Sequence, residues 1–137
     1  APLDIVKTMK EKVVKISGSG FATDTIALHS REDITSLKAV RLAAEKAYQM
    51  ADKKPEDIDV CEVHDCFAIA ELIVIEELGF VEKGKSGRFV EEGNTAIGGK
   101  IPVNTSGGLK AKGHPVGASG IAQGIEIYKQ LTGTAEE

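Results

Sequence analysis

The sequence predicts an α/β fold, a mostly parallel sheet with flanking helices whose elements follow the order β-α-β-α-β-α. Two observations carry this. Short apolar, β-branched runs at 13–16, 58–63 and 101–103 alternate with longer stretches whose apolar residues recur at helical spacing. The chain, 137 residues without internal repeat or low-complexity tract, is the length of one domain. Such a chain buries roughly two-thirds of its unfolded surface, enough for a core.

Residues 1–12 read as a lead-in segment, weakly helical from Asp4 to Lys12, ahead of a single domain over 13–137. Val13, Val14 and Ile16 form a short strand that ends in a turn at Gly18 and Gly20. Leu37, Val40, Ala44, Ala47, Tyr48 and Ala51 then keep the helical period, which predicts a helix over 36–51. Thr35 or Ser36 can cap its start, and Pro55 lies beyond its end. Ile58 to Val63 reads as a buried strand.

A second helix is expected over 65–78, stopped by Gly79. From Phe67 to Leu78 it is apolar nearly all the way round, so it needs protein on both faces. Glu71 and Glu76 and the short length disfavour a membrane span. Residues 80–100 are polar and glycine-rich and read as a long, mobile surface excursion. Ile101 to Val103 is a brief strand, with Pro102 at its start or edge. A glycine-dense turn through Gly107, Gly108, Gly113, Gly117 and Gly120 leads into a last helix over 117–131. That helix carries Ile121, Ala122, Ile125 and Tyr128 on one face and stops at Gly133.

Composition narrows the function classes. A formal charge of −4, with charged residues at 28%, gives no dense cationic face for nucleic acid. Cys61 and Cys66 are too few for a disulfide framework, and three histidines without paired cysteines give no zinc signature, so no metal site is expected. Ala1 to Lys12 lacks the continuous apolar core of a signal peptide, so the cytoplasm or an organelle matrix is the expected location. Ala1 in place of Met points to processing or excision from a longer sequence.

Two segments could carry chemistry, both at the strand-end junctions where α/β sheets bind ligands. In Glu62-Val63-His64-Asp65-Cys66-Phe67, His64 can present an imidazole to a cleft. The plainer alternative makes His64 a satisfied core histidine, Asp65 an N-cap and Cys66 a core side chain. Asn104 to Gly120 reads NTSGGLKAKGHPVGASG. Its glycines let backbone approach a ligand closely, and Gly113 and Pro115 frame His114. Here the alternative is a structural turn with an incidental histidine. No GxxxxGK[ST] phosphate loop occurs, and His29 reads as an exposed loop residue.

Together the two segments resemble the thiolase superfamily. Asn104 to Gly120 is similar to its N-x-x-G-G-x-x-x-x-G-H-P-x-G-A-S-G signature. Glu62 to Phe67 resembles the H-D-C-F variant, typical of sterol-carrier-protein-type and archaeal acetyl-CoA acetyltransferase-like members, of a block that reads N-E-A-F in biosynthetic thiolases. The resemblance runs from about Val13 to Leu131 and implies a thiolase-like C-terminal half-domain whose closing strand pair is missing. The family's nucleophilic cysteine sits in an N-terminal half that this sequence does not include. Its second cysteine lies in a C-x-G-G-G stretch beyond the position of Leu131, and neither Cys61 nor Cys66 matches either one.

What the resemblance implies is acyl transfer between a cysteine thioester and CoA, with acyl-CoA and CoA as substrates and no bound cofactor. His114 would be the base that activates the thiol, and His64 would polarise the thioester oxygen. Asn104, Gly107, Gly108, Gly117 and Ser119 would form the substrate-binding wall. The implied partners are an N-terminal thiolase half-domain and further copies in a homo-oligomer. The chain alone is expected to be inactive. A non-catalytic thiolase-fold subunit or scaffold in an acyl-CoA-metabolising complex, and a related condensing enzyme, remain alternatives.

Overall fold

The computed structural model describes residues 2–9 and 12–135. Its helices, in chain order, are α1 (Leu3–Val6), α2 (Lys38–Ala51), α3 (Ala68–Glu77), α4 (Ser86–Glu91), α5 (Gly108–Lys112) and α6 (Ser119–Thr132). Single 3₁₀ turns at Leu28–Ser30 and Pro55–Asp57 complete the regular structure, and His29 is exposed in the first of them. The three long helices lie within a few residues of those expected. Of the lead-in, only Leu3–Val6 is helical, and residues 10 and 11 lie outside the described residues.

The expected sheet is reduced to one contact. Among the described residues no strand forms, and the expected runs at 58–63 and 101–103 meet through a single parallel bridge between Cys61 and Val103. The Cys61 N–H donates to the Pro102 carbonyl at 3.0 Å, and the Asn104 N–H donates to the Cys61 carbonyl at 2.8 Å. The next rung of a parallel ladder would run from the Val63 N–H to the Asn104 carbonyl. Asn104 has φ of 55°, which turns that carbonyl away to accept from the Gly107 N–H at 2.8 Å. Its side-chain Oδ1 accepts from Val63 N–H instead, at 2.8 Å. Asparagine is among the few residues that adopt this conformation readily. The ladder therefore stops at Val63, immediately before His64.

The run at 13–16 pairs with no strand either, and Ile16 is 88% exposed. The glycines after it serve for close approach as well as turning. A Cβ at Gly20 would lie 1.8 Å from the Ala43 carbonyl oxygen, so this segment rests directly on the α2 backbone.

The core gathers Val63, Val74, Ile75, Phe89, Ile101 and Val103, with Ile75 fully buried. Phe89 comes from α4, so residues 80–100 supply a core side chain as well as the expected polar excursion. The Ser86 N–H and hydroxyl both donate to Glu76, which ties α4 to the end of α3. The start of α2 is not capped by Thr35 or by Ser36. Glu77, the last residue of α3, accepts from the Leu37 N–H at 3.0 Å and from the Ser36 hydroxyl. A carboxylate there satisfies free N–H groups and meets the positive end of the helix.

Candidate active site

His64 follows the last rung of the bridge, and its neighbours Val63 and Asp65 are buried, at 6% and 3% exposure. His64 itself is exposed, which overturns the core-histidine alternative. Cys66 is exposed as well, not a core residue, and Phe67 is 68% exposed. Asp65 does not cap the helix that follows it, because α3 starts at Ala68 without a side-chain cap. Its carboxylate reaches across to α5, accepting from Leu109 N–H at 2.7 Å and more loosely from Lys110 N–H at 3.4 Å.

The glycine-rich segment is held by acids beside His64. Glu62, whose side chain is 1% exposed, accepts from the Ser106 N–H at 3.0 Å, the Ser106 hydroxyl at 2.6 Å and the Thr105 hydroxyl at 3.3 Å. Lys112 approaches the same carboxylate at 3.7 Å. The Asn104 amide donates to Glu71 at 3.3 Å. Desolvation, aided by the nearby Asp65 charge, raises the Glu71 carboxyl above its ordinary range. Gly108 is buried at φ of 62°, and a Cβ there would meet Asp65 Oδ2 at 2.3 Å. Only glycine lets the loop close on the carboxylate this tightly.

This brace brings the two histidines together. The rings of His64 and His114 lie with centroids 4.7 Å apart and planes at 76°, edge to face. His114 Nδ1 lies 2.7 Å from the Ser119 hydroxyl, on the first residue of α6. Ser119 is buried, whereas His114 and Gly117 are exposed. Of the expected wall residues, Asn104, Gly108 and Ser119 are turned into the protein, while Gly107 and Gly117 are open.

Sequence reasoning missed Glu62, Glu71 and the long-range reach of Asp65 to α5. The available signal was acids flanking His64, in a chain whose glycine-rich turn carries several backbone N–H groups needing acceptors.

Cys61 is not in a nucleophile's environment. Burial, and secondarily the charge of Glu62, pushes the Cys61 thiol up to about 12, away from the thiolate form. A cleft of about 460 Å³ lies elsewhere, among Arg31, Glu32, Asp33, Lys38, Arg41, Glu77 and Lys83. Its charges largely pair with one another, as Lys38–Glu32, Arg41–Glu77 and Lys83–Asp33. This cleft is therefore an ion-pair groove, separate from the histidine pair. Among the described residues no cluster of three or more His, Cys, Asp or Glu is arranged to hold a metal, and no helix is long and apolar enough to cross a membrane.

Residues 20–137 match the family described as thiolase C-terminal domain-like. The chain is 52% identical over 134 residues to an acetyl-CoA acetyltransferase of Methanothermobacter thermautotrophicus, covering 98% of this chain and 35% of that protein. It is 58% identical over 124 residues to an acetyl-CoA acetyltransferase of Methanocaldococcus jannaschii, covering 89% of this chain and 32% of that protein. Sterol carrier protein 2 of Bos taurus is 40% identical over 130 residues, which cover 93% of this chain and 24% of that protein. A solved structure of an Ltp2-ChsH2(DUF35) aldolase superposes with a TM-score of 0.82 at 28% identity, over 96% of this chain and 35% of that one. The chain thus spans about a third or less of the length of these relatives.

Proposed function

The chain belongs to the thiolase superfamily, as a C-terminal half-domain, and from that premise we propose that it carries the histidine half of an acyl-transfer site. A companion N-terminal half-domain supplies the nucleophilic cysteine, and the substrates are acyl-CoA and CoA, with no bound cofactor. The observation that carries the reading is the approach of two imidazoles to 4.7 Å from separate segments, both exposed on one buried acidic brace.

His114 is the base. A free thiol ionises near ~8.5, so a neighbouring imidazole that takes its proton raises the thiolate fraction. The cysteine sulfur then attacks the thioester carbon, and the oxygen becomes anionic. His64 donates to that oxygen, and His114, now protonated, can donate too. One such donor contributes roughly 3–4 kcal/mol in other enzymes. Asn104, Gly107, Gly108, Gly117 and Ser119 form the wall beside the thioester, three of them from within. The extended runs at 13–16, 58–63 and 101–103 belong to a mostly parallel sheet completed against the companion half and a closing strand pair. We place the reaction in the cytoplasm or an organelle matrix.

The likeness to an aldolase favours one other reading, in which the same pair polarises a carbonyl for carbon–carbon chemistry without a covalent cysteine. Turnover separates them. The chain alone should not cleave acetoacetyl-CoA with CoA, and joining it to a thiolase N-terminal half and a closing strand pair with its cysteine should produce thiolysis that is lost on mutating the cysteine of the N-terminal half. Thiolysis that survives the loss of that cysteine would overturn the covalent mechanism.

A further inference from the structure

We infer that Ser119 is a positioning residue that fixes the tautomer of His114, holding the proton on Nδ1 and leaving Nε2 bare. The inference deepens the reading of His114 as a base, and it rests on that reading for its catalytic meaning.

A neutral imidazole has one N–H, and the partner of one nitrogen decides which nitrogen carries it. Ser119 is 7% exposed, and its hydroxyl lies 2.7 Å from His114 Nδ1. A hydroxyl can give or take a hydrogen bond, so the second contact of Ser119 settles the direction. That contact is the Pro115 carbonyl, 3.2 Å away, which can only accept. With the hydroxyl proton directed to Pro115, the Ser119 oxygen is free to accept from Nδ1–H. The reverse arrangement would leave two oxygens 3.2 Å apart with no proton between them. The Pro115 carbonyl also accepts from the Ala118 N–H at 2.8 Å and the Ser119 N–H at 3.0 Å, so the first turn of α6 holds it in place. Sharing of one acceptor among several donors is common at helix termini.

The chain of donors runs from His114 Nδ1–H to the Ser119 oxygen, and from the Ser119 hydroxyl to the Pro115 oxygen. Among the described residues Nε2 has no hydrogen bond. When Nε2 takes the proton of a thiol, the imidazolium donates from both nitrogens and Ser119 remains an acceptor. Nothing on the Nδ1 side has to turn over, which is how a preorganised site avoids reorganisation during the reaction. Burial of Ser119 keeps water from replacing the hydroxyl.

The test is the ¹⁵N spectrum of the imidazoles in this chain, labelled in histidine, with the neutral ring observed and His114 assigned by the loss of its signals in His114→Gln. The wild-type chain should show His114 protonated on Nδ1 and bare on Nε2. Ser119→Ala should shift the population to Nε2–H, and Ser119→Thr, which keeps the hydroxyl, should restore the wild-type pattern. His64 signals should keep their tautomer throughout. A wild-type His114 protonated on Nε2 would overturn the inference, as would a folded Ser119→Ala chain whose His114 tautomer is unchanged. If Ser119→Ala does not fold, the wild-type and Ser119→Thr spectra still decide. Since the measurement reads no turnover, it can fail while acyl transfer stands, or succeed where acyl transfer fails.

Discussion

His64 and His114 were both legible as candidates, because each stands in a motif that leaves an imidazole at a junction. The core alternative for His64 was decided by burial, which a sequence does not give. His64 is exposed between two buried neighbours, and Asp65 spends its carboxylate on another segment. Ser119 was legible as part of the motif, but its partner could be seen only once α6 was placed. Glu71 gives a test at this scale. Burial raises its carboxyl, so the folded chain holds a proton that the unfolded chain has already released. Between those two ionisations the folded state binds more protons, and stability falls as pH rises. Glu71→Gln should therefore flatten the loss of stability that begins as pH climbs past the ordinary glutamate value of 4.5. Denaturant midpoints measured across the acid-to-neutral range check this. A steeper loss in the variant would mean that the Asn104 contact, which favours the charged form, outweighs burial.

The helical elements were readable because apolar period and glycine stops are local signals, and α2, α3 and α6 fall close to the expected ranges. The sheet and the caps were not, for a common physical reason. Strand pairing depends on what lies beside a run. Here the ladder ends at Asn104, whose left-handed backbone redirects its carbonyl to Gly107. The N-terminal groups of α2 and α5 are satisfied by Glu77 and Asp65, both distant in the chain. Nothing in the local spacing of Thr35, Ser36 or Asp65 could show that. Gly108→Ala tests the closure of loop on brace. The positive φ alone costs of order 1–3 kcal/mol in a residue with a Cβ. The contact with the buried Asp65 carboxylate adds to it. Urea denaturation should register a loss of at least about 1 kcal/mol. An unchanged midpoint would mean that α5 does not seat on Asp65 as described.

The whole molecule exposes more surface than its mass requires. Its accessible area is 9611 Å², whereas a compact protein of 14.5 kDa shows about 6,900 Å². Much of the excess is apolar. Ile121, Ile125, Tyr128 and Leu131 along α6 are 46–68% exposed, as are Phe67 and Ile69 at the start of α3. The sequence had marked the α3 stretch as needing protein on both faces, and the structure leaves its first turn uncovered. Patches of this kind mark surfaces that another protein covers. The chain should therefore self-associate, or bind an apolar-surface dye until a partner covers it. A compact monomer at high concentration in sedimentation, with no dye binding, would contradict that.

The most direct measurement is kcat for acetoacetyl-CoA thiolysis by this chain joined to a thiolase N-terminal half and closing strand pair, compared among wild type, His114→Ala and His64→Ala. Loss of an oxyanion donor costs about 10²–10³ in kcat, and loss of a general base typically 10²–10⁴. Residues acting as a unit are not additive, so the two losses need not multiply. A fall of at least about 10² is expected for His114→Ala. His64→Ala should be milder and should be partly rescued as His64→Asn, whose amide still offers a donor. Wild-type-like turnover in a folded His114→Ala protein, or a larger loss for His64→Ala than for His114→Ala, would contradict the mechanism.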